Sequence, residues 1–232
     1  MSETKFQVSP TRKSRWVITA SNVLSMVFSP LFIPLYAYIT ALTVTQLHQV
    51  AWSTRAVTTL VVGALVSVVP LAILIVMKAS GRISDIDISN RRQRTLPMLL
   101  MFVCYILATV YVRAIHAPAW LVMYFISGIV SVIVLGLITV LLKWKISMHG
   151  AGAGNLIGMF VAMQRLGVAD HSMFGLITAA IIIAGLVGSA RIVLRKHTLA
   201  QVFAGTIASA LITYFMMMLA EGITPAAAAT TL

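Results

Sequence analysis

The sequence predicts an all-α protein, a polytopic transmembrane helical bundle with six to seven spans. Of its 232 residues, 60% are hydrophobic and only 9% are charged, which is far too apolar for a soluble domain. The apolar residues form runs close to the roughly 20 residues that a helix needs to cross a bilayer. Short loops that carry most of the charge separate these runs. We therefore expect a single integral membrane domain over residues 1–232.

The predicted segments follow one another along the chain. Residues 1–15 are polar and basic, and we expect them to lie flat or to be disordered. The first span is long and contains Pro30 and Pro34, so a kink or a break is expected. Pro97 suits the first turn of the helix that forms the third span. The helix that ends near Leu166 is less apolar than the others and is only a marginal span. The spans cover residues 16–44, 56–77, 97–112, 120–142, a stretch ending near 166, 173–190 and 201–220, followed by a short tail, 221–232.

Three polar loops hold much of the charge: the first polar loop (78–97), the second (143–150) and the third (190–201). Two spans separate each consecutive pair, and an even number of crossings returns the chain to the same side, so all three can meet at one membrane face. Together with the N-terminal segment, this face carries 14 of the 17 lysines and arginines. By the positive-inside rule it is cytoplasmic, and we expect a protein of the bacterial inner membrane. Cations that bind a ligand would also add to this count, and they would do so because of the ligand and not because of membrane topology.

The polar loops contain the residue types that phosphoryl transfer requires. Arginine offers planar, bidentate donors to phosphate oxygens. A neutral imidazole can attack phosphorus, and a second histidine can protonate the leaving alkoxide. Glycines at a helix start expose N–H groups that favour an anion. The candidates are Arg91, Arg92, Arg94, Ser147, His149, Gly150, Arg191 and His197.

Gln201 follows His197 by one helical turn, so the two side chains share a face if a helix begins near Thr198. No strong metal-ligand spacing is present, and Asp85-x-Asp87 is only a weak candidate.

On these residues the chain resembles the type 2 phosphatidic acid phosphatase superfamily, which carries the motifs Lys-x6-Arg-Pro, Pro-Ser-Gly-His and Ser-Arg-x5-His-x3-Asp. The resemblance covers about residues 78–205, with the motifs in order and at predicted membrane boundaries. The chain has Gln201 where the family has aspartate, and Asp87 where it has lysine. The three motifs read Arg94-Thr-Leu-Pro97, Ile146-Ser147-Met148-His149 and Ala190-Arg191-x5-His197-x3-Gln201.

The resemblance implies a metal-independent phosphatase without a cofactor, acting on a lipid phosphate monoester or pyrophosphate. His197 would be the nucleophile and form a phosphohistidine, and His149 would protonate the leaving group. The phosphate oxygens would be held by Arg191, Arg94 and Arg92, with Ser147 assisting.

The replacement at Gln201 bears on this chemistry. Its carbonyl can accept the imidazole N–H of His197, but it cannot stabilise the imidazolium by charge. The comparable replacement in serine proteases lowers the rate by roughly 10⁴. We hypothesise that Asp85 or Asp87 folds over the site and supplies the missing charge.

Other interpretations remain open. A basic chain invites a nucleic-acid interpretation, but these cations lie in short loops between apolar runs, so we expect membrane lipids and a lipid phosphate as partners and no nucleic acid. The histidines and arginines could instead be interfacial side chains that reach the head groups, and His149 could hydrogen-bond to the backbone. The alternative functions are a lipid-phosphate binding or transport protein without turnover, which Gln201 favours, and a small transporter with a basic gate, for which inverted repeats would be expected.

Overall fold

The computed structural model describes residues 12–88 and 90–222, which form eight α-helices. Short 3₁₀ turns occupy Gln46–Gln49, Arg91–Gln93 and Leu219–Gly222. The described residues contain no strand, only an isolated bridge between Thr45 and Ala169. The all-α prediction is therefore confirmed for this part of the chain. The helices are α1 (Arg12–Val27), α2 (Ile33–Val44), α3 (Trp52–Ala79), α4 (Thr95–Ala114), α5 (Ala119–Leu141), α6 (Met148–Leu166), α7 (Phe174–Val193) and α8 (Leu199–Met218).

Five of the described helices, α3, α4, α5, α7 and α8, are long and apolar enough to cross a membrane. Their outward faces carry large apolar side chains that are at least 60% exposed, which is what contact with lipid requires. The chain is thus a helical bundle with the character of an integral membrane protein. Of the predicted six to seven spans, the remaining two correspond to the shorter α2 and the less apolar α6. Examples of the exposed side chains are Leu60, Val110, Leu141, Phe174 and Phe215.

Helix α6 lies at the centre of the bundle. It packs most extensively on α8 and also contacts α7 and α2. Twelve of its 19 residues are buried. Because α6 faces other helices rather than lipid, it tolerates the small and polar residues that made it look like a marginal span.

Glycines allow α6 and α8 to approach closely. A Cβ at Gly150 would lie 2.7 Å from the carbonyl oxygen of Val202, and one at Gly154 would overlap the carbonyl of Thr206. Gly158 meets α8 in the same way one turn further along. This stripe holds the first turns of α6 and α8 side by side, which places the residues that flank both helix starts near each other.

The predicted first span is divided into α1 and α2 at Pro30. Proline has no N–H and its ring clashes with the preceding turn, so carbonyls at the end of α1 need other donors. His149 Nε2 lies 3.0 Å from the carbonyl oxygen of Ser25, and the Tyr36 hydroxyl donates to that of Val27 at 2.9 Å. The expected break is therefore confirmed, and residues 16–44 do not form one continuous helix.

Because the predicted first span is divided, counting spans no longer shows on which side of the membrane the N-terminus lies. The α1 helix begins at Arg12, so residues 12–15 are helical rather than disordered, and whether they lie flat on the membrane stays a prediction. The rest of that segment, 1–11, and most of the tail, 223–232, lie outside the described residues. Since α1 ends beside the first turn of α6, the side of the N-terminal cations no longer follows from the number of spans. Without them, the polar loops still carry ten cations against three on the opposite side.

Candidate functional site

The three polar loops meet at one end of the bundle. From the first loop, Arg94 Nη1 donates to the carbonyl of Ile146 at 2.8 Å, in the second loop. From the second, Lys145 Nζ donates to the carbonyl of Lys196 at 3.0 Å, in the third. An ion pair joins the first and third. The convergence expected from the even number of crossings is therefore present.

That ion pair connects Arg191 and Asp87. Arg191 Nη1 lies 3.0 Å from Asp87 Oδ2, and the two side chains are 2% and 38% exposed. Burial alone would raise the pKa of Asp87, but the charge and hydrogen bond of Arg191 outweigh it, and the pKa is lowered. Arg191 Nε is buried and has no hydrogen-bond partner within residues 12–88 and 90–222. The guanidinium therefore keeps one donor without a partner, although Arg191 itself lines neither of the two pockets described below.

The imidazole of His197 is held in one tautomer. Its Nδ1 lies 3.2 Å from Gln201 Oε1 and 3.3 Å from the carbonyl oxygen of Lys145. Both atoms are acceptors, so we assign the proton to Nδ1, which leaves the lone pair on Nε2. Burial lowers the pKa of His197 to about 3, and the charges of Arg94, Lys145 and Arg191 act in the same direction. At neutral pH the ring is thus neutral, the form required of a nucleophile.

Gln201 is fixed by the start of α8. Thr198 is the N-cap: its hydroxyl accepts from the Gln201 N–H at 3.4 Å, and the Gln201 side chain accepts from the Thr198 N–H at 3.2 Å. This reciprocal capping box confirms the predicted helix start and the shared face with His197.

Arg94 is buried among the loops, with its side chain in a set orientation. It is 4% exposed, and its Nε donates to the carbonyl of Ile88 at 3.1 Å. Burial, followed by the charge of Arg191, lowers the pKa of Arg94 to about 10. Arg94 is therefore still a cation at neutral pH.

A cavity of about 150 Å³ extends from the polar loops into the bundle. Its lining includes Asp87, Arg94, His149 and His197, which lie in the polar loops or at the start of α6. Most of its remaining wall is apolar, so the cavity combines a charged part with a hydrophobic part. The apolar lining includes Leu31, Ile33, Leu74, Leu100, Met101, Val132 and Leu135.

On its other side, His197 borders an open, basic groove formed by the second and third polar loops. Lys145, Arg195 and Lys196 line this groove with it. His197 thus lies between a cavity inside the bundle and a groove at its surface.

Ser147 and Gly150 lie at the start of α6. Ser147 is the N-cap of α6, and its hydroxyl accepts from the Gly150 N–H at 3.2 Å. Neither residue lines the cavity. Their polar groups are used to begin α6, and Gly150 also allows α8 to approach, so a phosphate-binding role for either residue stays a prediction.

Arg92 is also outside the cavity. It lies exposed in the 3₁₀ turn, where its backbone N–H donates to Asn90 Oδ1 at 3.1 Å. The tight turn directs Arg92 outward and brings Arg94, two residues later, inward. The structure thus places Arg92 away from the cavity, and its role as a phosphate ligand stays a prediction.

The proposed carboxylate partner of His197 is not found in that position. Asp87 pairs with Arg191 instead, because a buried guanidinium carries a full charge that needs compensation and a neutral imidazole does not. Asp85 accepts a hydrogen bond from the Ser84 hydroxyl at 3.3 Å, and its charge acts on Arg94.

Sequence reasoning missed several residues at the deeper end of the cavity. Asn155 and Ser131 line it, and a polar residue inside an apolar helix is a usable signal for function. Ser209 on α8 lines it as well. Gly188 and Gly205 make close helix contacts, whereas a Cβ added at Gly185 would meet no atom within 4 Å.

The described ranges contain no group of three or more histidine, cysteine, aspartate or glutamate residues placed to hold a metal ion. Comparison with known proteins finds no matching family model, curated protein or solved structure. The function is therefore inferred from the site.

Proposed function

We propose that the protein is a membrane-embedded phosphatase of the type 2 phosphatidic acid phosphatase kind, which hydrolyses a lipid phosphate monoester or pyrophosphate. One observation carries the proposal: two histidines and Arg94 line the polar end of a cavity whose other walls are largely apolar. A phosphate would bind beside the guanidinium, and the lipid chain would lie between the helices. The excess of ten cations over three supports a site on the cytoplasmic side of a bacterial inner membrane.

The first step would form a phosphohistidine. The lone pair of His197 Nε2 attacks phosphorus, an N–P bond forms, and the bond from phosphorus to the lipid oxygen breaks. In the complex with substrate, where the phosphate dianion offsets the charges of Arg94 and Arg191, His149 would carry a proton; the leaving alkoxide takes it, so the lipid departs as an alcohol and His149 becomes neutral. Gln201 and the carbonyl of Lys145 keep the His197 proton on Nδ1 during this step.

The second step would release phosphate. A water molecule attacks phosphorus and gives one proton to His149, while the N–P bond breaks and its electron pair returns to His197 Nε2. This restores both histidines to their starting states and yields inorganic phosphate. The basic groove beside His197 offers a route by which a small anion can leave while the lipid product stays in the bundle.

Arg94 and Arg191 would hold the phosphate oxygens. Arg94 lines the cavity directly, whereas Arg191 does not line it and is paired with Asp87, which does. A phosphate that reaches the unpartnered Nε of Arg191 would share the guanidinium with Asp87 or displace it. Asp87 lies in a loop and is 38% exposed, so its displacement need not unpack a helix.

A catalytically impaired lipid-phosphate binding or transport protein is the second candidate. Two observations favour it: the partner of His197 is the neutral Gln201, and Asp87 already occupies one donor of Arg191. Such a protein would retain the cationic end of the cavity and bind the lipid phosphate, but it would not hydrolyse it.

The discriminating experiment measures both phosphate release and lipid binding by the detergent-solubilised protein. The panel contains phosphatidate, phosphatidylglycerol phosphate and a polyprenyl pyrophosphate, each with and without a chelator. A phosphatase releases phosphate from at least one lipid, and His197→Ala and His149→Ala abolish the release. His171→Ala, an exposed histidine outside both the cavity and the groove, is the control. Binding without release would select the carrier, and neither binding nor release would overturn both candidates.

A further inference from the structure

The cavity has a second polar region at its deeper end. Ser131 on α5 and Ser209 on α8 line it, with 8% and 0% exposure. Neither hydroxyl oxygen has a hydrogen-bond partner among the residues that the structure describes. Asn155 on α6, 7% exposed, completes the group. Three helices therefore each contribute one polar side chain to the same buried space.

This deep polar region is separated from the histidines by helix length. Asn155 follows His149 by six residues along α6, and Ser209 follows Gln201 by eight along α8. At 1.5 Å per residue these separations are about 9 and 12 Å. The cavity thus offers one polar end for a phosphate and another roughly 10 Å further into the bundle.

Asn155 is held in a defined orientation. The Tyr124 hydroxyl donates to its Oδ1 at 2.6 Å, and its Nδ2 donates to Thr213 Oγ1 at 2.9 Å. The amide nitrogen carries two hydrogens, so one remains after the bond to Thr213. With the hydroxyls of Ser131 and Ser209, the region presents three donors.

Buried donors without partners favour a ligand that bonds them. A buried polar group without a partner is destabilising, so an acceptor placed there gains the hydrogen bond that the protein itself does not supply. In a diacylglycerol phosphate, ester carbonyl oxygens follow the phosphate after one glycerol unit. In a polyprenyl phosphate, hydrocarbon follows the phosphate directly and offers no acceptor at that depth.

We propose that Ser131, Asn155 and Ser209 form a subsite for an ester carbonyl of the lipid, which makes the protein selective for acylated glycerol phosphates. This rests on the proposed function, because the lipid phosphate must occupy the outer end. The subsite is a specificity determinant and takes no part in the chemical steps.

The test compares a diacylglycerol phosphate with its dialkyl ether analogue of equal chain length, which lacks both carbonyls. The wild-type protein should prefer the ester about tenfold or more in kcat/KM, since tenfold corresponds to one hydrogen bond of about 1.4 kcal/mol. The double variant Ser131→Ala/Ser209→Ala should lose most of this preference through KM. It should retain activity on the ether and remain folded, because removing an unpaired hydroxyl costs little.

Thr139→Val is the matched control. Thr139 is a buried hydroxyl on the same helix α5, already bonded to the carbonyl of Leu135 at 2.8 Å and outside the cavity. It should keep the ester preference. A wild-type protein without the preference, or a double variant that retains it, would overturn the subsite.

Competition binding of the ester and ether lipids distinguishes failure of the subsite proposal from failure of the phosphatase proposal. If no phosphate is released from either lipid, the phosphatase proposal fails. The ester should still displace a bound lipid better than the ether in the wild-type protein and equally well in the double variant. Equal displacement in the wild-type protein would overturn the subsite by itself.

Discussion

Replacing Gln201 with glutamate would add a charge beside His197 and leave the shape of the site unchanged. The side-chain oxygen lies 3.2 Å from His197 Nδ1 and also accepts from the Thr198 N–H. Glutamate is the usual residue at this position of a capping box, and a negative charge in the first turn suits the helix dipole. Gln201→Glu should therefore fold as the wild-type protein does.

The size of the effect follows from the distance. A unit charge about 4 Å from an imidazolium contributes about 4 kcal/mol at an effective dielectric constant near 20. Gln201 is partly exposed, so we take about half, roughly 2 kcal/mol, which is about 1.5 units of pKa. The pKa of His197 should rise from about 3 to between about 4 and 5 and remain below neutral pH. The same energy would stabilise the positively charged phosphohistidine and raise the phosphatase rate about 30-fold.

Two assays test this variant independently. NMR titration of the histidine rings, with His197 assigned by the loss of its signals in His197→Asn, reports the pKa directly. Phosphate release at neutral pH reports the rate. An unchanged titration would refute the contact between His197 and Gln201. A raised pKa together with an unchanged or lower rate would refute the nucleophilic role of His197.

Three further predictions concern stability, each measured by unfolding in detergent. Gly154→Ala would press a methyl group against the backbone of α8 and should lower the free energy of unfolding by about 1–3 kcal/mol, whereas Gly185→Ala, with open space, should leave it unchanged or raise it. Asp87→Ala removes the carboxylate that pairs with buried Arg191 and should lower the free energy of unfolding by about 1–3 kcal/mol. Asp87→Asn should lower it by less. The pKa of His197 is about 3 in the folded protein and 6.5 ordinarily, so between these pH values the unfolded chain binds more protons than the folded protein. The free energy of unfolding should therefore fall as the pH decreases from 6.5 towards 3, and His197→Asn should make this dependence on pH weaker.

Local patterns predicted the helices and part of the site. The lengths of the apolar runs placed most helix ends within a few residues of those observed, because the cost of burying polar backbone in lipid depends on the segment itself. Thr198 and Gln201 form the expected helix start, since a capping box involves neighbours in sequence. The common end of the three polar loops followed from the number of intervening spans.

Contacts between distant segments decided the rest. Nothing in the spacing of Arg92 and Arg94 indicates which of them a tight turn directs inward. Asp87 could meet His197 or Arg191, and the buried guanidinium attracts it more strongly than a neutral ring does.

The sequence by itself determined an all-helical, apolar bundle and the loops that carry its chemistry, because hydropathy and helix capping act over a few neighbouring residues. Only the tertiary structure decided that glycines pack α6 on α8, that Ser147 and Gly150 serve the helix start, and that three polar side chains line the deep end of one cavity. These features depend on which helix faces touch across long stretches of chain. Packing selects those faces by shape and by the need to pair buried polar groups.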